Sequence, residues 1–129
     1  MQHTGTIPIQ TRRLLLRRFQ QGDAKDIFEW TGSAENSRYI MERPHQNLGQ
    51  AEQQLEQNIQ QYREIDFYLW AIVFQREVIG YITGNEISKE NRSVSLGYCI
   101  KKKYWYRGLV TEAATAVIDY LFTVDFERI

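Results

Sequence analysis

The sequence predicts an α+β domain, and three observations carry that expectation. Residues 93–122 read as strand, glycine turn and helix. Residues 68–87 read as two β-prone runs around a polar turn. Two helix-period segments precede them, near residues 24–30 and 48–62. The order strand, helices, three antiparallel strands, helix belongs to a sheet flanked by helices rather than to alternating β–α units.

Arg13 to Phe19, with Leu14, Leu15 and Leu16, is the first expected strand, after a loose lead-in over Met1 to Gln10. Gln20-Gln21-Gly22 bounds it, and Asp23 is placed to cap a helix carrying Ala24, Ile27, Phe28 and Trp30. Gly32-Ser33 interrupts that helix. A short helix is expected over Ala34 to Ile40, then a loop holding Pro44 and His45. Asn47 with Gln50 three residues on resembles a capping box, and Ala51, Leu55, Ile59 and Tyr62 share one face of the helix that follows. Tyr68 to Phe74 is an apolar strand, Gln75-Arg76-Glu77 turns the chain, and Val78 to Ile87 returns. Gly80 and Gly84 in that returning strand mark bulges or close backbone approach.

In the next strand Val94, Leu96, Tyr98 and Ile100 alternate with Ser93, Ser95, Gly97 and Cys99. A basic, aromatic connection, Lys101 to Arg107, leads to Gly108. Thr111-Glu112-Ala113 then opens a helix with Ala113, Val117, Leu121 and Val124 on its apolar stripe. A glycine beside a helix start lets backbone N–H groups converge on an anion, and the helix dipole adds positive potential at that end. The unit therefore predicts a site for a phosphate-bearing ligand.

Bulk properties narrow the classes. At 129 residues, 43% hydrophobic and 25% charged, the chain reads as one domain with enough apolar material for a core. Sixteen basic residues balance sixteen acidic ones, which argues against nucleic acid as the main partner. No apolar run approaches the roughly 20 residues that span a bilayer. The single cysteine permits neither an internal disulfide nor a multi-cysteine zinc site, and no metal is expected. A cytoplasmic setting is the default expectation.

Asn91 to Tyr98, continued through Tyr104-Trp105-Tyr106-Arg107-Gly108-Leu109-Val110-Thr111-Glu112-Ala113, resembles the acetyl-CoA motif of the GNAT N-acetyltransferases. It is most similar to the branch that includes the ribosomal-protein N-terminal acetyltransferases, which Thr11 to Arg17 and the stretch from Trp70 to Gly84 also resemble. The resemblance implies a GNAT-like, mixed but mostly antiparallel sheet that lacks the family's C-terminal strands. It implies acetyl-CoA as cosubstrate, held at the pyrophosphate by N–H groups of Tyr106, Arg107, Gly108, Leu109 and Val110. Trp105 takes the motif's first position, and the Thr111 hydroxyl adds a donor. The backbone of Tyr98, Cys99 and Ile100 would pair with the pantetheine arm.

Some positions depart from the motif. Tyr106 stands where Gly is frequent. Val110 stands where Gly or Ala is preferred, and its branched side chain is expected to crowd the phosphate. Ser95 replaces a Glu that many of the branch carry as a base, which leaves Glu86 as the nearest acidic candidate. Amine acetylation needs a neutral amine, so a carboxylate or water chain has to take the proton. Tyr98 is the candidate acid toward the leaving thiolate, with a core aromatic as its other reading. Cys99, inside a strand, reads as a small hydrophobe rather than a nucleophile. His45 is a candidate for shaping the acceptor pocket, and Trp70 and Phe67 read as core. The chain ends at Phe126 to Ile129, where the family's fifth strand is expected, so a homodimer that covers exposed strand edges is anticipated. Two functions fit: transfer of acetyl from acetyl-CoA to a primary amine by direct attack, or a non-catalytic, shortened CoA-binding or dimerising module.

Overall fold

The computed structural model describes residues 5–31, 47–88 and 90–124, without the side chains of residues 29–31 and 86. Its elements are β1 (Ile9–Gln10), β2 (Leu14–Arg17), a 3-10 turn at Gln21–Asp23, α1 (Ala24–Thr31) and α2 (Leu48–Gln61). They continue with β3 (Tyr68–Phe74), β4 (Glu77–Ser88), β5 (Ser93–Ile100), a 3-10 turn at Lys102–Tyr104, and α3 (Leu109–Thr123). Among the described residues the five strands form one sheet in chain order, and each neighbouring pair is antiparallel. The short helix expected over residues 34–40, the Pro44–His45 loop and the expected strand at residues 126–129 lie outside the described residues.

Helices cover both faces of the sheet. On one face Leu109, Ala113, Val117 and Leu121 of α3, with Val124 just after it, pack on Leu16, Tyr68, Trp70, Ile72, Ile82, Val94 and Ile100. On the other, Ala24 and Ile27 of α1 and Ala51 and Leu55 of α2 pack on Leu69, Ala71, Val78 and Cys99. β3 lies under both layers, which explains why its sequence, YLWAIVF, is continuously apolar instead of alternating. The α2 start follows the capping reading: Asn47 Oδ1 accepts the Gln50 N–H at 3.0 Å.

Asp23 does something other than cap α1. Buried in the preceding turn, it accepts hydrogen bonds from Arg17 Nη1 and Nη2, at 2.8 and 2.9 Å, and from the Gln20 N–H at 2.7 Å. It thereby ties the end of β2 to the entry of α1. The lead-in is also not loose from Gly5 onward. The Thr6 hydroxyl donates to the Phe67 carbonyl and accepts the Leu69 N–H. The Trp70 indole donates to the Ile7 carbonyl, and the Tyr120 hydroxyl to that of Gly5. These partners lie 61 to 115 residues away along the chain, so no local pattern announces them.

One irregularity aims the functional end of the sheet. Between β3 and β4 the register slips at Ile72/Val73, and Ile79 is the extra residue. The bulge brings Gly80 hard against β5. A Cβ at Gly80 would overlap the Cys99 carbonyl oxygen and lie 2.8 Å from the Ile100 Cα. The Lys101 N–H then donates to the Ile79 carbonyl at 2.7 Å, closing the strand where the connection to α3 begins.

Candidate functional site

The connection from β5 to α3 borders an open cavity of about 520 Å³. Tyr98, Cys99 and Ile100 line it from the end of β5, Tyr104 to Gly108 from the connection, and Leu109, Val110 and Thr111 from the first turn of α3. The ten residues assigned from sequence to the donor site are thus brought together around one space, with Tyr104 added.

The backbone of the turn alternates in hand. Tyr106 (φ 64°) and Gly108 (φ 72°) are left-handed, and Arg107 between them is not. Left-handed residues in such a turn are the backbone feature from which concave anion-binding nests are built. Gly108 adopts its φ freely and serves as the N-cap of α3. Tyr106 does not: a left-handed non-glycine costs about 1–2 kcal/mol, and its fully exposed side chain buries nothing in return. The frequent Gly at this position in the motif thus has a backbone reason.

α3 starts at Leu109, two residues before the expected Thr111, because Gly108 itself caps the helix and Leu109 is buried as the first anchor. The free N–H groups of that first turn therefore stand directly behind the turn. Val110 is partly buried and packs on the core while lining the cavity, so its side chain is shared between the two.

Side chains fix the connection in place. The Trp105 indole donates to the Ile100 carbonyl at 2.9 Å, bridging strand end and turn. The Tyr104 ring lies edge-on to Phe74, beneath Lys103 at 5.0 Å and Arg107 at 5.5 Å. Glu77 accepts from Lys101 at 3.2 Å and from the Tyr104 hydroxyl at 3.3 Å. Of these cations Arg107 lines the cavity, while Lys101 is spent on Glu77 outside it.

Tyr98 shares the sheet face of Val94 and Ile100 but is 55% exposed, so the core-aromatic reading fails: it opens on the cavity. Cys99 points the other way, buried against the α1 and α2 layer. Its backbone alone is left to face the cavity, and the small-hydrophobe reading describes its side chain. Ser95 is exposed. Glu86 lies in β4 in the irregular stretch between Asn85 and Ser88, where the pairing with β5 shifts register. His45 lies outside the described residues. Among the described residues no group of three or more His, Cys, Asp or Glu is placed to hold a metal, and no helix is long and apolar enough to cross a membrane.

Three residues escaped the sequence reading. The turn between β1 and β2 docks on the start of α3 through Thr11, Arg13 and Glu112. Glu112 Oε2 accepts the Thr11 hydroxyl at 2.5 Å and the Arg13 N–H at 2.8 Å, while Oε1 accepts Arg13 Nε at 2.7 Å. Arg13 Nη1 also donates to the Arg107 carbonyl at 3.0 Å. Hydrogen bonds from Thr11, then from Arg13, hold the Glu112 carboxyl down at about 2.

Comparison with known proteins agrees with this architecture. A family model described as an acetyltransferase (GNAT) domain matches residues 13–129. The chain is 28% identical over 117 residues to a Bacillus licheniformis protein named as the uncharacterized N-acetyltransferase p20, covering 89% of this chain and 66% of that one. RimL, a ribosomal α-N-protein acetyltransferase, superposes with a TM-score of 0.77 at 15% identity over 93% of this chain and 67% of the other. A microcin C7 self-immunity acetyltransferase solved with acetyl-CoA and AMP superposes with a TM-score of 0.72 at 17% identity, covering 85% and 63%. The chain thus spans about two thirds of the length of the proteins it matches. With its family match running from β2 through the cavity and α3, it belongs to the GNAT acetyltransferase family.

Proposed function

We propose that the chain carries the donor site of an N-acetyltransferase that passes acetyl from acetyl-CoA to a primary amine, a protein N-terminus or a small amine. The observation that carries this reading is the turn at Tyr106–Gly108, left-handed at both ends, set between the end of β5 and the first turn of α3 around one cavity. N–H groups from Tyr106 to Val110 and the Thr111 hydroxyl are the proposed pyrophosphate ligands, with Trp105 holding the turn to the strand. The backbone of Tyr98, Cys99 and Ile100 is the proposed partner of the pantetheine arm. β5 pairs with β4 on one side and is the last strand of the sheet among the described residues, the place where an extended ligand could add alongside it. The similarity of Thr11 to Arg17 and of Trp70 to Gly84 to the ribosomal-protein branch is what supports a protein N-terminus as acceptor.

Bound acetyl-CoA supplies an activated thioester, which the neutral amine attacks so that the amide forms as the C–S bond breaks. Tyr98, exposed on the cavity wall, is the proposed proton donor to the departing sulfur. Glu86 is the proposed acceptor of the amine proton through water. A homodimer through exposed strand edges, in a cytoplasmic setting, completes the proposal.

Calorimetry with acetyl-CoA, followed by thiol release on addition of peptide amines, tests it. Micromolar binding with amine-dependent release is expected, along with a loss of release in Tyr98→Phe. Binding without turnover would favour the other reading, a non-catalytic CoA-binding module. A monomer by light scattering at micromolar concentration would sink the dimer.

A further inference from the structure

We infer that Arg13, outside the cavity, is a positioning residue for the anion-binding turn, an inference that rests on the proposed function. Arg13 is absent from the cavity lining, which includes Arg107 and Gly108. Its guanidinium reaches the turn from behind, donating Nη1 to the Arg107 carbonyl and Nε to Glu112. In a trans peptide C=O and N–H point in opposite directions. Holding the Arg107 carbonyl toward Arg13 therefore aims the Gly108 N–H away from Arg13. The same bond keeps a carbonyl oxygen, which would repel an anion, from rotating toward the ligand.

The second half of the device is electrostatic. Glu112 lies in the first turn of α3, where the dipole is positive and where a bound diphosphate would also lie. An uncompensated carboxylate there would repel the ligand. Arg13 supplies a full positive charge at 2.7 Å, and Thr11 donates to the other oxygen. The hairpin turn thus neutralises the carboxylate in the first turn of α3 and leaves the N–H groups of the helix end available. The contact spans 99 residues of sequence, so the N-terminal hairpin and the donor site are one unit.

The test titrates CoA into the wild type, Arg13→Ala and Arg13→Lys by calorimetry. In the same samples NMR follows the amide protons of Gly108 and of Cys99 on β5. Arg13→Ala should bind about tenfold more weakly, as loss of a charge-assisted hydrogen bond implies. Its Gly108 amide should lose most of the ligand-induced shift while Cys99 keeps its own. Arg13→Lys, which retains charge and one donor, should recover part of both. Arg13→Ala binding within about threefold of wild type would overturn the inference. So would equal loss of shift at Gly108 and Cys99, which marks general destabilisation. Wild type that fails to bind CoA overturns the proposed function and this inference with it, whereas a binding wild type with an indifferent Arg13→Ala overturns this inference alone.

Discussion

Gly80→Ala should be one of the most damaging single-methyl changes available in this chain. The added Cβ would overlap the Cys99 carbonyl oxygen, lie 2.8 Å from the Ile100 Cα and 3.0 Å from the Cys99 carbonyl carbon. All three are backbone atoms, so no side-chain rotation relieves the clash. Either the β4–β5 pair separates or the bulge at Ile79 unwinds. Overpacking of this kind costs typically about 1–3 kcal/mol, and the rigid neighbours place Gly80 at the upper end. With about 2 cal/mol/K of unfolding entropy per residue over 129 residues, each kcal/mol moves Tm by about 4 °C. A drop of about 12 °C is expected. Gly22→Ala is the matched control: nothing lies within 4 Å of its added Cβ, and it should be neutral or stabilising by up to about 1 kcal/mol through the unfolded chain. Urea melts followed by tryptophan fluorescence, with Cm and slope compared, read both variants. If the two alanines shift Cm alike, the close approach of Gly80 to β5 is not what holds that end of the sheet.

Two further outcomes follow from the same geometry. Glu112 is held at about 2 against an ordinary 4.5, a difference equivalent to about 3 kcal/mol, which the 42% exposure of its partner Arg13 reduces to about 1–2. Because the folded value is depressed, this stability is present above pH 4.5 and lost as pH falls toward 2. The gap in unfolding free energy between wild type and Glu112→Gln should therefore shrink over that window, and a pH-independent gap refutes the assignment. The β3–β4 hairpin is closed by Gln75 and Arg76, both left-handed at φ 50° and 68°. The pair Gln75→Asn with Arg76→Gly, which suits that turn, should raise stability by about 1 kcal/mol, or about 4 °C in Tm.

The parts of the fold legible in the sequence are those decided within about 15 residues. Alternation of Val94, Leu96 and Ile100, the Asn47 cap and the stripe through Ala113, Val117 and Leu121 each arise from the repeat of a single element. That the proposed donor-site residues gather around one cavity was legible for the same reason: strand end, turn and helix start are contiguous. Tyr98 was ambiguous because its alternation places it on the core face, and only the position of α3 decides that its ring opens on a cavity.

What the sequence by itself determined is the strand–turn–helix unit and its chemistry: a glycine able to take a positive φ, then a helix whose first N–H groups are free. That information is local, carried by backbone preference and side-chain period. The tertiary structure decided how that unit is held. The Gly80 approach, the Thr6 and Trp70 anchors of the N-terminal segment and the docking of Thr11 and Arg13 on Glu112 join residues that are 19 to 101 positions apart. Such contacts leave no periodic trace, because their energy depends on where two separately formed elements meet rather than on the order of residues within either one.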